Sequence, residues 1–206
     1  MKVAGTSVEA VLHKYVAADP ASHVLSHSAE KSECEHGICG GRLQDGLGRP
    51  GGAVDAFYNH MTAREVAALL PLEFATYTKV CVVRNPWDQV VSMYSWLKPK
   101  LSPHITFDMY VSTITQSYDW DRMCVGGKFC MDHVLRYETL PEDLNRLADA
   151  LGLESLPPTP HYKKSHCRDG LPYHEFYSTQ SRKHVARIFH REIEKFGYVF
   201  EGCAQA

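Results

Sequence analysis

Lys79-Val-Cys-Val-Val-Arg-Asn-Pro-Trp-Asp-Gln-Val-Val-Ser92 is the stretch whose reading decides the fold. Its opening, Lys79-Val-Cys-Val-Val83, is a short apolar, β-branched run with the pattern of a strand buried in a parallel sheet. Asn85 can cap a helix, and Pro86 suits the first helical position because its φ is already set and it has no N–H to leave unpaired. Val90, Val91, Tyr94 and Leu97 then supply one apolar helical face. Arg84 thereby falls at the carboxyl end of a strand, where open α/β sheets bind ligands. Ser92, two turns into the helix, joins Arg84 on one phosphate if strand end and helix flank the same crevice. The competing partner for Arg84 is Asp88, four residues on, in a surface ion pair.

A second anion-binding pattern, Lys2-Val-Ala-Gly-Thr-Ser7, lies roughly eighty residues upstream. Gly5 allows close backbone approach, Thr6 and Ser7 offer hydroxyls and N–H donors, and Lys2 supplies a point charge. Val8, Val11, Leu12 and Tyr15 recur at helical spacing, so this loop feeds a helix with one buried face. An ordinary capped helix start would carry the same Thr and Ser. Unpaired N–H groups and the positive end of the helix dipole favour negative charge at both places. Two such sites imply a ligand with two separated anionic groups.

Taken together, these residues resemble the sulfotransferases that use 3′-phosphoadenosine 5′-phosphosulfate (PAPS). Lys2-Val-Ala-Gly-Thr-Ser7 is similar to that family's 5′-phosphosulfate loop, and Arg84-Asn-Pro-Trp-Asp with Ser92 is similar to its 3′-phosphate motif. His133-Val-Leu-Arg-Tyr-Glu138 resembles a later core strand of the carbohydrate-type branch. Pro160-His-Tyr-Lys-Lys-Ser165 resembles the loop that covers the cofactor, and Tyr177 to Phe200 resembles the terminal helix and tail. The resemblance implies an α/β, three-layer P-loop NTPase-like fold, with a central, mostly parallel sheet flanked by helices. It implies one sulfotransferase domain over 1–206, with PAPS as co-substrate held by Lys2, Ala4, Gly5, Thr6, Ser7, Arg84, Ser92, Lys164 and Ser165. The reaction implied is sulfuryl transfer to a hydroxyl of an acceptor, a carbohydrate before other hydroxylated compounds. Two departures stand out: the phosphosulfate loop of the family follows an apolar strand and a Pro, and Gln89 stands where many members carry a basic residue. The first leads to the expectation that the first core strand is lacking or that another segment fills its slot. Golgi members are membrane-anchored, so the chain reads as a soluble relative or as a luminal fragment without its stem.

Composition agrees with one globular domain. The 206 residues are 44% hydrophobic and 22% charged, enough to bury a sizeable core. A net charge of -2 argues against non-specific nucleic-acid binding, so any cationic cleft must be local. No apolar run approaches the length that crosses a bilayer. Seven cysteines exclude a complete set of internal disulfides. Cys81 reads as a small buried hydrophobe. Cys34-Glu-His-Gly-Ile-Cys39, with Cys124 and Cys130, lacks the paired Cys-x-x-Cys spacing of zinc sites, so free thiols or one local disulfide are expected and no metal.

Between Asp19 and Asn59 the chain is rich in Gly, Ser and His, which reads as a long insertion or lid (19–59). Its Gly46-Leu-Gly-Arg-Pro-Gly51 matches a dinucleotide fingerprint only literally, because no apolar strand precedes it and Pro50 interrupts the turn. Thr62-Ala-Arg-Glu65 is a capping box opening a helix through Leu70. Thr106 precedes a helical stretch, Phe107 to Ser117. Thr139-Leu-Pro-Glu142 caps another helix, whose Leu144, Leu147 and Leu151 share a face. A last amphipathic helix runs from Ser178 towards Gly197, with Val185, Ile188, Phe189 and Ile193 inward.

Sulfuryl transfer resembles phosphoryl transfer in resting on positioning and charge stabilisation. Lys2 would offset charge growing on the leaving phosphate. The acceptor hydroxyl needs a base, and an imidazole ordinarily titrates near neutrality. His60, just before the Thr62 cap, aligns with a His of several carbohydrate sulfotransferases, so His60 and Lys2 are the catalytic candidates; Glu9 and His174 follow. Trp87, Tyr94 and Trp96 suit a core before they suit adenine stacking. Tyr118-Asp-Trp-Asp-Arg122 has the polar and aromatic composition of a sugar-binding loop. The alternatives are a nucleotide-dependent phosphotransferase, which would need the Gly-x-x-x-x-Gly-Lys-Ser/Thr loop this chain lacks, and a catalytically idle nucleotide-binding module.

Overall fold

A computed structural model of the chain describes residues 3, 5–12, 31–34, 37–40, 60–117, 119–153, 156 and 170–201. In chain order the elements are α1 (Gly5–Leu12), β1 (Lys31–Cys34), β2 (Gly37–Gly40), α2 (Ala63–Leu69), α3 (Pro71–Thr76), β3 (Val80–Val83) and α4 (Pro86–Leu97). They continue with α5 (Phe107–Ser112), α6 (Asp119–Arg122), β4 (Cys124–Val125), β5 (Lys128–Phe129), β6 (His133–Arg136), α7 (Leu140–Leu151), α8 (Thr179–Ile188) and α9 (His190–Phe196).

The architecture is mixed helix and sheet around one small parallel sheet. β3 pairs with β6 in parallel, with Cys81 opposite Val134 and Val82 opposite Leu135. Alternation along a strand sends neighbouring side chains to opposite faces, and two apolar clusters follow from it. Val80, Val82 and Leu135 join Val8 and Val11 of α1 and Leu140, Leu144 and Leu147 of α7. Cys81, Val83 and Val134 join the larger cluster, built on Trp87, Val91 and Tyr94 of α4, Val185 of α8, and Phe189 and Phe196. Helices α1 and α4 therefore pack on opposite faces of this sheet. The sequence leads to a wider central sheet, whereas the parallel sheet among the described residues has two strands. The other pairings are antiparallel: β1 with β2, and β4 with β5.

Local signals explain the helix starts. The Asn85 side chain accepts from Trp87 N, with Pro86 at the first position of α4. Thr62 and Glu65 form the reciprocal capping box of α2. Thr106 accepts from Met109 N and Ser178 from Ser181 N.

Several ends differ from the sequence expectation. α5 stops at Ser112 instead of Ser117, where the Ser112 and Thr113 hydroxyls bond the carbonyls of Met109 and Tyr110; such back-bonding competes with helix propagation. Thr139 makes no side-chain cap bond. Asp143 instead turns back to accept from Arg136 N at 2.6 Å, tying the start of α7 to the end of β6. Leu151 is 39% exposed, unlike Leu144 and Leu147. The last helix is two, α8 and α9, broken at Phe189 (φ -102°, ψ 25°), whose ring is drawn into the core. The pairing of β1 with β2 lies within the segment read from the sequence as a long insertion or lid.

Strand ends and tail are joined through Asn85 and Glu138. Asn85 N donates to Glu138 Oε1 at 2.6 Å, and Asn85 Nδ2 donates to the Val199 carbonyl at 3.0 Å. Tyr198 Oη donates to Glu138 Oε2 at 3.3 Å, and Arg136 Nη2 donates to the Phe196 carbonyl at 2.5 Å. Phe200 lies edge-on to Trp87, Tyr173 and Tyr177. Asn85→Ala removes the α4 helix cap and the bond to the Val199 carbonyl, so it should lower unfolding stability by about 1–2 kcal/mol in denaturant titration. An unchanged midpoint would contradict this coupling.

Candidate functional site

Residue 84 follows the last residue of β3, which makes Arg84 the first side chain beyond the sheet on that strand. It is 7% exposed, so its charge needs a partner. Asp88, one turn into α4, supplies it: Arg84 Nη2 and Nε lie 2.6 and 2.7 Å from Asp88 Oδ2. The Tyr137 ring closes over the guanidinium plane at 4.0 Å. This is the Asp88 pair that competes in the sequence with anion binding at Arg84, and it is buried instead of lying at the surface. An anion arriving at Arg84 would share the guanidinium with Asp88, which holds the fork in one orientation.

Ser92 is buried one turn beyond Asp88 on the same flank of α4. Arg84 and Asp88 are thus brought together by one strand–helix junction, and Ser92 follows further along α4. Gly5 and Ser7 sit in the first turn of α1, on the opposite face of the sheet; Ser7 is buried and Gly5 exposed. A Cβ built at Gly5 would meet nothing within 4 Å, so packing does not demand glycine there. Lys2, Ala4, Lys164, Ser165 and the side chain of Thr6 lie outside the described residues, as do Glu9's side chain and Tyr118.

His60 occupies the turn before the Thr62 cap with an exposed side chain and φ of 66°, a left-handed conformation few non-glycine residues adopt. Such strain, of roughly 1–3 kcal/mol, clusters at functional sites. The His60 carbonyl accepts from Arg122 Nε at 3.0 Å. Arg122 Nη1 in turn pairs with Asp119 Oδ1 at 2.7 Å, and Gln89 Nε2 donates to Asp119 Oδ2. A polar relay therefore runs from the His60 turn to α4, one turn beyond Asn85. Gln89, which departs from the basic residue of the resemblance, is its anchor. Trp87 and Tyr94 are core residues, while Trp96 is 42% exposed beneath Lys100. His174 lies in a 3-10 turn, edge-on to Tyr173.

Two features had no sequence signal. Glu138, the last residue of the His133–Glu138 motif, links strand, helix and tail, a role the motif does not indicate. Glu192, 6% exposed, accepts from the Ser117 hydroxyl through Oε1, while its Oε2 has no hydrogen-bond partner among the described residues. Burial pushes its carboxyl above the usual range, partly offset by the Ser117 bond. Burial, with Cys130 nearby, pushes the Cys81 thiol up to about 12, consistent with an inert core cysteine. Among the described residues Cys81, Cys124 and Cys130 are free, no cluster of three His, Cys, Asp or Glu could hold a metal, and no helix is long and apolar enough to cross a membrane.

No family model matches this chain, and no curated protein or solved structure matches it.

Because the folded pKa of Glu192 is raised, its stabilising protonated form is fully present below the unfolded carboxyl pKa, and that contribution is lost as pH rises through the folded value. Glu192→Gln should therefore gain stability relative to the native chain as pH rises from about 4 to 7. Parallel denaturation curves across that range, with a pH-independent difference, would contradict the assignment.

Proposed function

We propose that this chain is a PAPS-dependent sulfotransferase, with a carbohydrate hydroxyl as its most favoured acceptor and a P-loop-like, three-layer architecture in the complete fold. The observation that carries the proposal is the β3–α4 junction: a buried Arg84 at the carboxyl end of a parallel strand, followed by the Asn85–Pro86 helix start and a buried Ser92. That is the arrangement a 3′-phosphate requires, namely a fixed guanidinium beside a helix N-terminus with a hydroxyl on the same flank. The exposed Gly5 at the start of α1, where packing makes no demand for glycine, supports a second anionic contact at the 5′-phosphosulfate.

On this reading Arg84 and Ser92 hold the 3′-phosphate. Backbone N–H groups of Ala4 to Ser7 hold the 5′-phosphate with Lys2, and Lys164 and Ser165 cover the nucleotide. The bond between sulfur and the 5′-phosphate oxygen breaks as a bond forms from sulfur to the acceptor oxygen. The acceptor proton passes to His60, and adenosine 3′,5′-bisphosphate leaves with its charge offset by Lys2. Asp88 and Tyr137 keep the Arg84 fork aimed while the nucleotide docks.

Two substitutions test the assignment. Arg84→Gln should weaken adenosine 3′,5′-bisphosphate binding roughly tenfold to a hundredfold, the worth of a charge-assisted hydrogen bond; unchanged affinity would remove Arg84 from the site. His60→Asn keeps a residue that tolerates positive φ and discards the imidazole. It should lower turnover of labelled PAPS by roughly 10²–10⁴-fold with nucleotide affinity retained. Turnover equal to the native chain would eliminate His60 as the base.

A further inference from the structure

His60 stands at φ 66° just before the Thr62 cap, and a residue other than glycine keeps that conformation only where its surroundings hold it there. One such hold acts on the strained residue's own carbonyl: Arg122 Nε donates to His60 O at 3.0 Å, across 62 positions of chain. The same guanidinium is engaged on a second edge, where Arg122 Nη1 pairs with Asp119 Oδ1 at 2.7 Å. A planar fork fixed at one edge meets the carbonyl at the other in a set direction. Asp119 is not held by Arg122 alone, since Gln89 Nε2, from a buried residue of α4, donates to its Oδ2. The backbone that carries Arg122 is anchored as well. Arg122 ends α6, and the next residue, Met123, is buried in the cluster around α4, while its carbonyl accepts from Cys130 N at 3.0 Å.

We propose that Arg122 is a positioning residue for the base: its bond to the His60 carbonyl keeps the turn in the left-handed conformation from which the imidazole is presented to the acceptor hydroxyl. The proposal rests on the sulfotransferase reading, in which His60 takes the acceptor proton. The His60 side chain is exposed, and the direction in which it leaves the surface follows from the φ and ψ of its own residue. Relaxation of φ to the negative values that L-residues prefer would turn the Cα–Cβ bond and carry the ring with it. Proton transfer needs the base within hydrogen-bond reach of the hydroxyl, and a displacement of about 1 Å can cost about a hundredfold in rate. Lysine cannot replace the fork, because a single ammonium does not span the Asp119 carboxylate and the His60 carbonyl in one plane. Arg122 closes the Tyr118–Arg122 segment whose composition suits sugar binding; its place in the structure is at the base's turn, while Trp120 of that segment packs against the Phe129 ring.

The test uses the full 206-residue chain with isotope-labelled histidine, in which the imidazole NMR signal lost in His60→Asn identifies the His60 ring. In Arg122→Lys that signal should shift more than any other histidine ring signal, while the melting shift induced by adenosine 3′,5′-bisphosphate stays at the native value. Turnover of labelled PAPS, with methyl glycosides of hexoses and N-acetylhexosamines as acceptors, should fall roughly tenfold to a hundredfold in kcat with KM for PAPS unchanged. Arg122→Gln serves the same end should Arg122→Lys fail to fold. A His60 ring signal that does not move in a folded Arg122 variant, a native kcat in that variant, or a KM for PAPS that changes as much as kcat would overturn the proposal. Native chain that neither responds to the bisphosphate nor turns PAPS over would remove the sulfuryl-transfer reading and the role of Arg122 with it. An unmoved ring signal in a chain that does turn PAPS over would remove the role of Arg122 alone.

Discussion

The parallel pairing of Val80–Val83 with His133–Arg136 is the constraint on which the rest depends. Parallel neighbours end side by side, so the residues that leave them must share one crevice. Here those residues are Arg84 and Asn85 from one strand and Tyr137 and Glu138 from the other. Each pair across the gap is in contact: Tyr137 over Arg84, and Glu138 bonded to Asn85. The buried cation and the helix start are thus held by the second strand as much as by their own.

This arrangement also explains why the tail belongs to the junction. Glu138 and Asn85 each spend a second bond on the Tyr198–Val199 segment, and Phe200 fills the space between Trp87, Tyr173 and Tyr177. Burial raises the Tyr177 hydroxyl far above its ordinary range, which keeps it a donor to the Trp87 carbonyl at 2.8 Å. Loss of the tail would expose the first turn of α4, so the stability of this junction and the nucleotide binding proposed for Arg84 are linked through the same bonds.

The features legible in the sequence are those decided within a few residues. The β-branched run, the Asn85–Pro86 start, the Thr62–Glu65 box and the Ser178 cap depend on neighbours three or four positions away, and each stands where the sequence indicates. What was not legible depends on distant partners. Asp88 is visible as a partner of Arg84, but the Tyr137 ring that covers the guanidinium comes from beyond the other strand. Glu138, Glu192 and the break at Phe189 answer to packing that no local pattern encodes. The spread of the candidate site over α1, α4 and the His60 turn has the same origin: the sequence named the residues, and only the paired strands relate them.

The most direct measurement is calorimetric titration of folded chain with adenosine 3′,5′-bisphosphate without metal, alongside ATP with magnesium. The account predicts saturable one-to-one binding of the bisphosphate, accompanied by a rise in melting temperature, and no comparable response to ATP with magnesium. No heat and no thermal shift with the bisphosphate, or a response to magnesium ATP alone, would contradict it.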